Sequence, residues 1–513
     1  MSAVAAIPRR PSAAPAERRP LRHAVVIGAG LGGLAAAIRL GARGYRVTVV
    51  DRLDQAGGRA RVFRQDGFVF DAGPTVITAP FLLEELWQLA GRRMQDHVAL
   101  VPVTPFYQVR FHDGATFDYT GDAAAMRREI ARFAPDDIPG YERFIRESEK
   151  IFKVGFEQLA HVPFDSLWDM AKIVPDMVRL GSHRTVYGLV ASLVKDERLR
   201  QVLSFHTLLV GGNPFDTTSI YCLIAYLERK WGVHFAMGGT GAIVNGLVDL
   251  IASQGGVVRL NTEVEEITVE GRRATGVRLK NGEIVCADVV VSNGDAGWTY
   301  RRLLPAYLRR HWTDRKLERA RYSMGLFVWY FGTKRRYEDV KHHTILLGPR
   351  YRGLLDDIFH NKVVAEDFSL YLHRPTATDP SLAPPGHDAF YVLSPVPNLE
   401  SGTDWAAEAE GYRRRIAKYL GETVLPGLEA EVVSSRVLTP REFESDYLSL
   451  RGAAFSFEPV LTQSAALRPH NRSEEIEGLY LVGAGTHPGA GVPGVLSSAR
   501  VLDTVVPDPD ALR

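Results

Sequence analysis

Cysteine is nearly missing from this chain. Only Cys222 and Cys286 are present, far apart and without metal-ligand spacing. That excludes a disulfide scaffold and a cysteine-based zinc site, and it fits a reducing compartment. A long apolar run is missing too. The longest uncharged stretch lies between Glu477 and Arg500, and its six Gly and two Pro suit a lipid-spanning helix poorly. An excess of one charge is also lacking. The 62 Lys and Arg stand against 60 Asp and Glu, a net +2 scattered along the chain, so there is no field to grip a polyanion and nucleic acid is not the expected partner. No internal repeat is visible. What remains is ordinary globular material, 45% hydrophobic and 24% charged, in 513 residues. At roughly 150 residues per domain this predicts three to four units, or two with one discontinuous. Residues 1–20, with four Pro and the pairs Arg9-Arg10 and Arg18-Arg19, read as a disordered lead-in with no secretion signal.

The pattern opens with an apolar run His23–Ile27, a Gly-rich turn, a helical segment Gly32–Ala42 and a β-branched run Val47–Val50, a strand-turn-helix-strand unit. From Phe81 to Tyr226 the periodicity is mainly helical, including a long stretch around Tyr141–Leu159. Strand patterns return at Val257–Leu260, Val264–Val269, Ala274–Leu279 and Ile284–Val291, with turns at Glu270-Gly271 and Asn281-Gly282. A mixed stretch with a strand at Leu326–Phe331 follows, before the apolar run Leu479–Val482.

Gly28, Gly30 and Gly33 form G-x-G-x-x-G between a strand and a helix pattern. Gly28 permits the tight turn, Gly30 lets a pyrophosphate approach, Gly33 allows helix and strand to pack, and the helix N-terminus offers free N–H groups. Asp51, 18 residues beyond Gly33 at the end of the second strand, is placed to accept the hydroxyls of an adenosine ribose. This predicts dinucleotide binding. Gly57, Gly58 and Arg59 add a second flexible approach and a guanidinium for the diphosphate. The closing segment repeats the logic: a strand enters Gly483-Ala484-Gly485-Thr486, and a helix starts at Gly494-Val495-Leu496. Two Gly-rich strand-to-helix turns at opposite ends of the chain are best explained by one long cofactor, FAD, with the second helix end stabilising negative charge on a reduced flavin.

The segments Val25–Leu34, Gly57-Gly58-Arg59 and Asp71-Ala72-Gly73-Pro74-Thr75 resemble the flavoprotein amine oxidase and carotenoid desaturase superfamily. Ser204–Pro214, Trp231–Phe235 and Tyr480–Val495 resemble bacterial-type phytoene desaturases, and the resemblance runs from about residue 22 to 503. It implies an α/β fold with a Rossmann-like FAD-binding domain, a discontinuous mixed sheet and a helical substrate and membrane region. It also implies an FAD-dependent enzyme that introduces double bonds into a C40 polyene, phytoene to neurosporene or lycopene. Such an enzyme would be cytoplasmic and peripherally docked on the inner membrane. The corresponding pieces are FAD-binding at 21–135, 227–298 and 464–513, helical substrate or membrane region at 136–226, and substrate domain at 299–463. By resemblance, Gly28, Gly30, Gly33, Asp51, Arg52, Gly58 and Arg59 map to the ADP side, Val264 to adenine, and Gly73, Pro74, Thr75, Gly485 and Val495 to the flavin side. Arg146 and Glu149 occupy positions where relatives carry a proposed acid/base pair in the opposite charge order, so they stand as acid/base candidates against a solvated i,i+3 ion pair.

A hydrocarbon substrate offers no heteroatom, so it must be oriented by shape and apolar walls, for which Phe205–Val210, Ile220–Leu227 and Leu326–Phe331 are candidates, with burial in the core the favoured role for them. An unactivated allylic C–H is too weak an acid for any side-chain base, so hydride loss comes first and proton loss second. His206, His234 and His487 share no ligand spacing and no metal is expected. His487 sits in the turn nearest the flavin, with a satisfied structural role favoured. The pair His342-His343 is set aside because adjacent residues point to different faces. Rival functions are a desaturase of hydroxylated, methoxylated or C30 carotenoids, an amine oxidase, and a flavin-less isoprenoid carrier. Oligomeric state is left open.

Overall fold

The computed structural model describes residues 21–512. The expected lead-in, 1–20, lies outside them. Five parallel strands form one sheet, in the order Leu479–Leu481, Val289–Ser292, His23–Ile27, Arg46–Val50 and Val257–Arg259. The opening strand lies inside the sheet, with Val25 opposite both Val290 and Thr48. It is buried on both faces, which is why it reads as a continuous apolar run. Ala24 and Val26 face the helices Leu31–Ala42, Thr240–Ser253 and Val492–Val505, while Val25 and Ile27 face a three-stranded antiparallel sheet on the other side. All five strands come from the three pieces expected to bind FAD, so lateral strand pairing and the helices packed on it bring distant chain segments together.

A second sheet has seven strands, in the order Val432–Leu438, Gly325–Thr333, Asp388–Val396, Leu370–His373, His343–Leu346, Tyr107–Arg110 and Thr116–Tyr119. Its strand Gly325–Thr333 is wholly buried. Phe327, Trp329 and Phe331 pack on the helix Trp405–Thr423, whereas Leu326, Val328 and Tyr330 face the opposite core.

Three expectations need correction. The stretch 81–226 is not continuously helical: it holds the strands Leu100–Pro102, Tyr107–Arg110 and Thr116–Tyr119. These are three or four residues long, too short for a period-2 signal to stand out. The last two join the seven-stranded sheet, so the piece 21–135 contributes to both sheets and its boundary marks no change of layer. Finally, Ile284–Val291 splits into Ile284–Cys286 in the antiparallel sheet and Val289–Ser292 in the parallel one. The long helical stretch is present as Ile138–Phe152, continued by a wider turn through Gln158.

Candidate functional site

Gly28, Asp51, Asn293 and Gly483 each follow a parallel strand, so the carboxyl edge of the sheet gathers four segments at one crevice. Gly28 has φ +95°, a conformation that glycine adopts without strain. A Cβ on Gly33 would stand 2.0 Å from the Gly28 carbonyl oxygen, so the helix Leu31–Ala42 approaches the strand only because that atom is missing. A Cβ on Gly32 would stand 3.3 Å from the Gly483 backbone: the opening and closing glycine turns touch. Both line one cavity of about 560 Å³. The helices that begin there, after Gly30 and after Gly491, have no side-chain N-cap, which leaves their first N–H groups free for a ligand.

The cavity wall includes Gly28, Gly30, Asp51, Arg52, Gly58, Arg59, Gly73, Pro74, Thr75, Val264 and Val495. Asp51 is buried and its oxygens accept from the N–H groups of Ala29, 2.6 Å, and Leu53, 2.8 Å. Each oxygen keeps a lone pair for a ribose hydroxyl. Arg59 is held below the ordinary guanidinium range by burial, opposed by the nearby Asp295, and its Nε has no partner among the described residues. Asp71 accepts from the N–H and hydroxyl of Thr240, both at 2.9 Å, which pins the base of the loop Gly73–Thr75. Burial pushes its carboxyl up to about 6. The uncapped helix ends, the buried Arg59 guanidinium, whose Nη2 donates to Ser449 Oγ while its Nε is unpartnered, and the Cβ-free approaches all fit a dinucleotide carrying a diphosphate.

Two of the mapped glycines stand behind the wall. Gly33 packs strand on helix as expected, whereas Gly485 is not flavin-facing: its absent Cβ makes room for Ala296 and Ser456. Arg146 and Glu149 require a larger correction. Neither lines the cavity, and Arg146 is exposed. Glu149 pairs with Lys153 at 2.8 Å, one helical turn away, and that contact holds its carboxyl below the usual range. On the helix Ile138–Phe152 both point away from the cavity, and the acid/base assignment is withdrawn.

Beyond the flavin-side residues the cavity becomes apolar. Phe205, Leu208, Leu209, Ile220, Leu223 and Leu227, for which the sequence favours core burial, line it. From Leu326–Phe331 only Leu326 and Val328 do so: strand alternation turns Phe327, Trp329 and Phe331 to the other face, and Tyr330, on the cavity side, packs instead on Phe63 and Tyr391. His487 lies on the wall and its Nε2 stands 2.9 Å from the Leu159 carbonyl oxygen; burial lowers the imidazole to about 4.

Sequence reasoning missed several residues. Asn293 lies among the glycines, with its amide within 3 Å of where Cβ atoms on Gly30, Gly32 and Gly483 would be. Tyr371 and Tyr391 reach the cavity beside Thr75, whose Oγ1 lies 2.6 Å from the Tyr391 hydroxyl and 3.2 Å from that of Tyr371. Glu228 lies on the apolar part of the wall. No local motif announces any of these. The pair His342-His343 does not diverge as adjacent residues of a strand would. Although adjacent, both are buried against His373, with ligand atoms of the three within 4.8 Å of one another. They are the only donor group among the described residues close enough to hold a metal ion. Tyr371 OH reaches His343 Nδ1 at 2.7 Å, and Thr378 Oγ1 reaches His342 Nδ1 at 2.6 Å.

Residues 31–501 match the family of flavin containing amine oxidoreductases. The chain belongs to that family. This member is a flavin-dependent oxidoreductase. It is 52% identical to a phytoene desaturase (neurosporene-forming) of Rhodobacter capsulatus, over 95% of this chain and 94% of that one. It is 51% identical to a phytoene desaturase (lycopene-forming) of Pseudescherichia vulneris, over 95% and 99%. An oxidoreductase structure from Methanosarcina mazei superposes with a TM-score of 0.62 at 20% identity, covering 94% of this family member and 99% of that chain, a likeness of fold.

Proposed function

We propose that this flavoenzyme holds FAD and desaturates phytoene to neurosporene or lycopene. The observation that carries the reading is the continuity of the cavity, from diphosphate-cradling turns to a pocket of aliphatic and aromatic side chains suited to a hydrocarbon. An amine substrate would call for polar recognition where Leu208, Leu209, Ile220 and Leu223 stand. Bound between the two turns, the flavin supplies an acceptor for a hydride and its electron pair. The chain's own part is to orient and to exclude water. Gly28, Gly30, Gly58 and Arg59 would hold the diphosphate, Gly73, Pro74, Thr75 and Val495 would flank the ring system, and the apolar wall would fix which C–H bond lies beside it.

The reading extends to a membrane. No helix is long and apolar enough to cross one. The helix Leu167–Arg179, however, contributes Met170, Ile173 and Met177 to the cavity wall while Trp168, Val174 and Val178 are 79%, 49% and 65% exposed. One helix thus joins the cavity mouth to an apolar surface, the arrangement that admits an insoluble substrate directly from lipid on the cytoplasmic face of the inner membrane. Incubation of the purified protein with phytoene, FAD and liposomes, with products resolved by chromatography, is expected to yield neurosporene or lycopene. Unchanged phytoene alongside oxidation of a primary amine would overturn the reading.

A further inference from the structure

His487 carries a ring nitrogen that the fold leaves unused. Its Nε2 stands 2.9 Å from the Leu159 carbonyl oxygen, which can only accept, so Nε2 bears the proton and Nδ1 the lone pair. The Phe164 ring meets the imidazole edge-on, with centroids 4.8 Å apart at 71°, and fixes its plane. Six histidines are buried among the described residues, and His487 alone of them keeps a ring nitrogen that is neither hydrogen-bonded nor enclosed by protein. The residue lies on the cavity wall with Leu159, Phe164, Pro488, Ala490 and Gly491, so its open nitrogen faces the space at the closing glycine turn. Burial, reinforced by Arg468, His470 and His161, keeps the ring neutral at pH 7 and the lone pair free. The Glu228 carboxylate offers no such atom: its Oε1 accepts from the Tyr107 hydroxyl at 2.7 Å, and its Oε2 is enclosed 3.2 Å from His206 Nε2. The bond to Leu159 is all that holding the turn requires. A second nitrogen left without a partner beside an apolar space adds nothing to stability and is available for chemistry.

We propose that His487 Nδ1 takes the proton released in the desaturation, a role that rests on the phytoene desaturase reading above. One C–H bond breaks with loss of hydride, and its electron pair leaves to the flavin. The allylic cation so formed then loses a proton from the adjacent carbon. That C–H electron pair becomes the new π bond, and the proton passes to Nδ1. A weak base suffices, because an allylic cation is a far stronger acid than an imidazolium. The charge gained by the ring is offset by the electron pair just delivered to the flavin, and the proton goes on to water as the product leaves. Leu159 and Phe164 are positioning residues: the first fixes the tautomer, the second the plane of the ring.

The test compares wild type with His487→Ala in the flavin-loaded protein, with phytoene in liposomes. Wild-type conversion comes first, since its absence defeats the desaturase reading and not this assignment. Given that conversion, His487→Ala is expected to slow product formation by about a hundredfold or more at equal flavin content. Added imidazole, which brings both a donor for Leu159 and a lone pair, is expected to raise the variant's rate about tenfold. Pyrrole, which has the N–H but no basic nitrogen, is expected to leave it unchanged. Equal recovery with the two would assign His487 a structural bond alone and overturn the proposal, as would turnover of His487→Ala within about threefold of wild type. A second readout needs no turnover. Nitrogen-15 NMR of the histidine-labelled, flavin-loaded protein at pH 7, with His487→Gln to assign the signal, is expected to show His487 protonated at Nε2 and bare at Nδ1, and the Nδ1 signal to move when the inert hydrocarbon squalane fills the cavity. A proton on Nδ1, or a signal that squalane leaves unmoved, equally overturns the assignment.

Discussion

His487 illustrates how a single residue couples burial to pH. Its imidazole is 8% exposed, and burial takes it from the ordinary 6.5 to about 4. Between those values the unfolded chain holds the extra proton, so stability rises with pH across that window. The contribution is complete above pH 6.5 and is lost as pH falls toward 4. It amounts to about 3 kcal/mol for a shift of this size. His342, lowered to about 3 for the same reason and further by Arg374, adds in the same direction. The urea midpoint is therefore expected to fall from pH 7 to pH 4.5. His487→Gln, which retains a donor for the Leu159 carbonyl, is expected to show a shallower fall; matching slopes would refute the cause given. What Gly28 and Gly33 do depends on the turn they occupy, so it is visible locally. Glu228 and Asn293 matter only because of what distant segments bring to them.

At the scale of the element, the helix Leu167–Arg179 carries the clearest division of labour. Its apolar residues serve two surfaces, the cavity through Met170 and Ile173 and the exterior through Trp168 and Val178. Replacement of Trp168 and Val178 by Glu removes apolar contact and adds charge where lipid is proposed. Sedimentation with anionic liposomes is expected to drop at least fivefold, on the order of 1 kcal/mol for each large apolar group lost. Flavin content should stay unchanged, because neither side chain faces the cavity; loss of flavin together with lipid binding would count against docking through this helix. Helical periodicity predicted the long element Ile138–Phe152 correctly, whereas the strands Tyr107–Arg110 and Thr116–Tyr119 escaped notice. Each is four residues long and gains its identity from the sheet edge it joins.

At the scale of the whole molecule, the cavity is assembled from segments near residues 28–59, 73–75, 264, 293 and 483–495. A ligand that touches all of them binds only the folded chain. FAD at a hundredfold excess over its Kd is expected to stabilise the protein by about 2.7 kcal/mol. Calorimetry with and without FAD should show the rise in Tm, and an unchanged Tm would mean that the turns do not share one ligand. The sequence by itself determined the nucleotide-binding unit, its family and the apolar character of the substrate space, because turn geometry and strand burial leave local marks in residue type and spacing. Only the tertiary structure decided that Arg146 and Glu149 stand apart from the cavity, that Gly485 is a packing residue, and that Glu228, His206 and Tyr107 meet. Side-chain convergence arises from the lateral order of strands and the facing of helices, and neither is written in the spacing of residues along a single element.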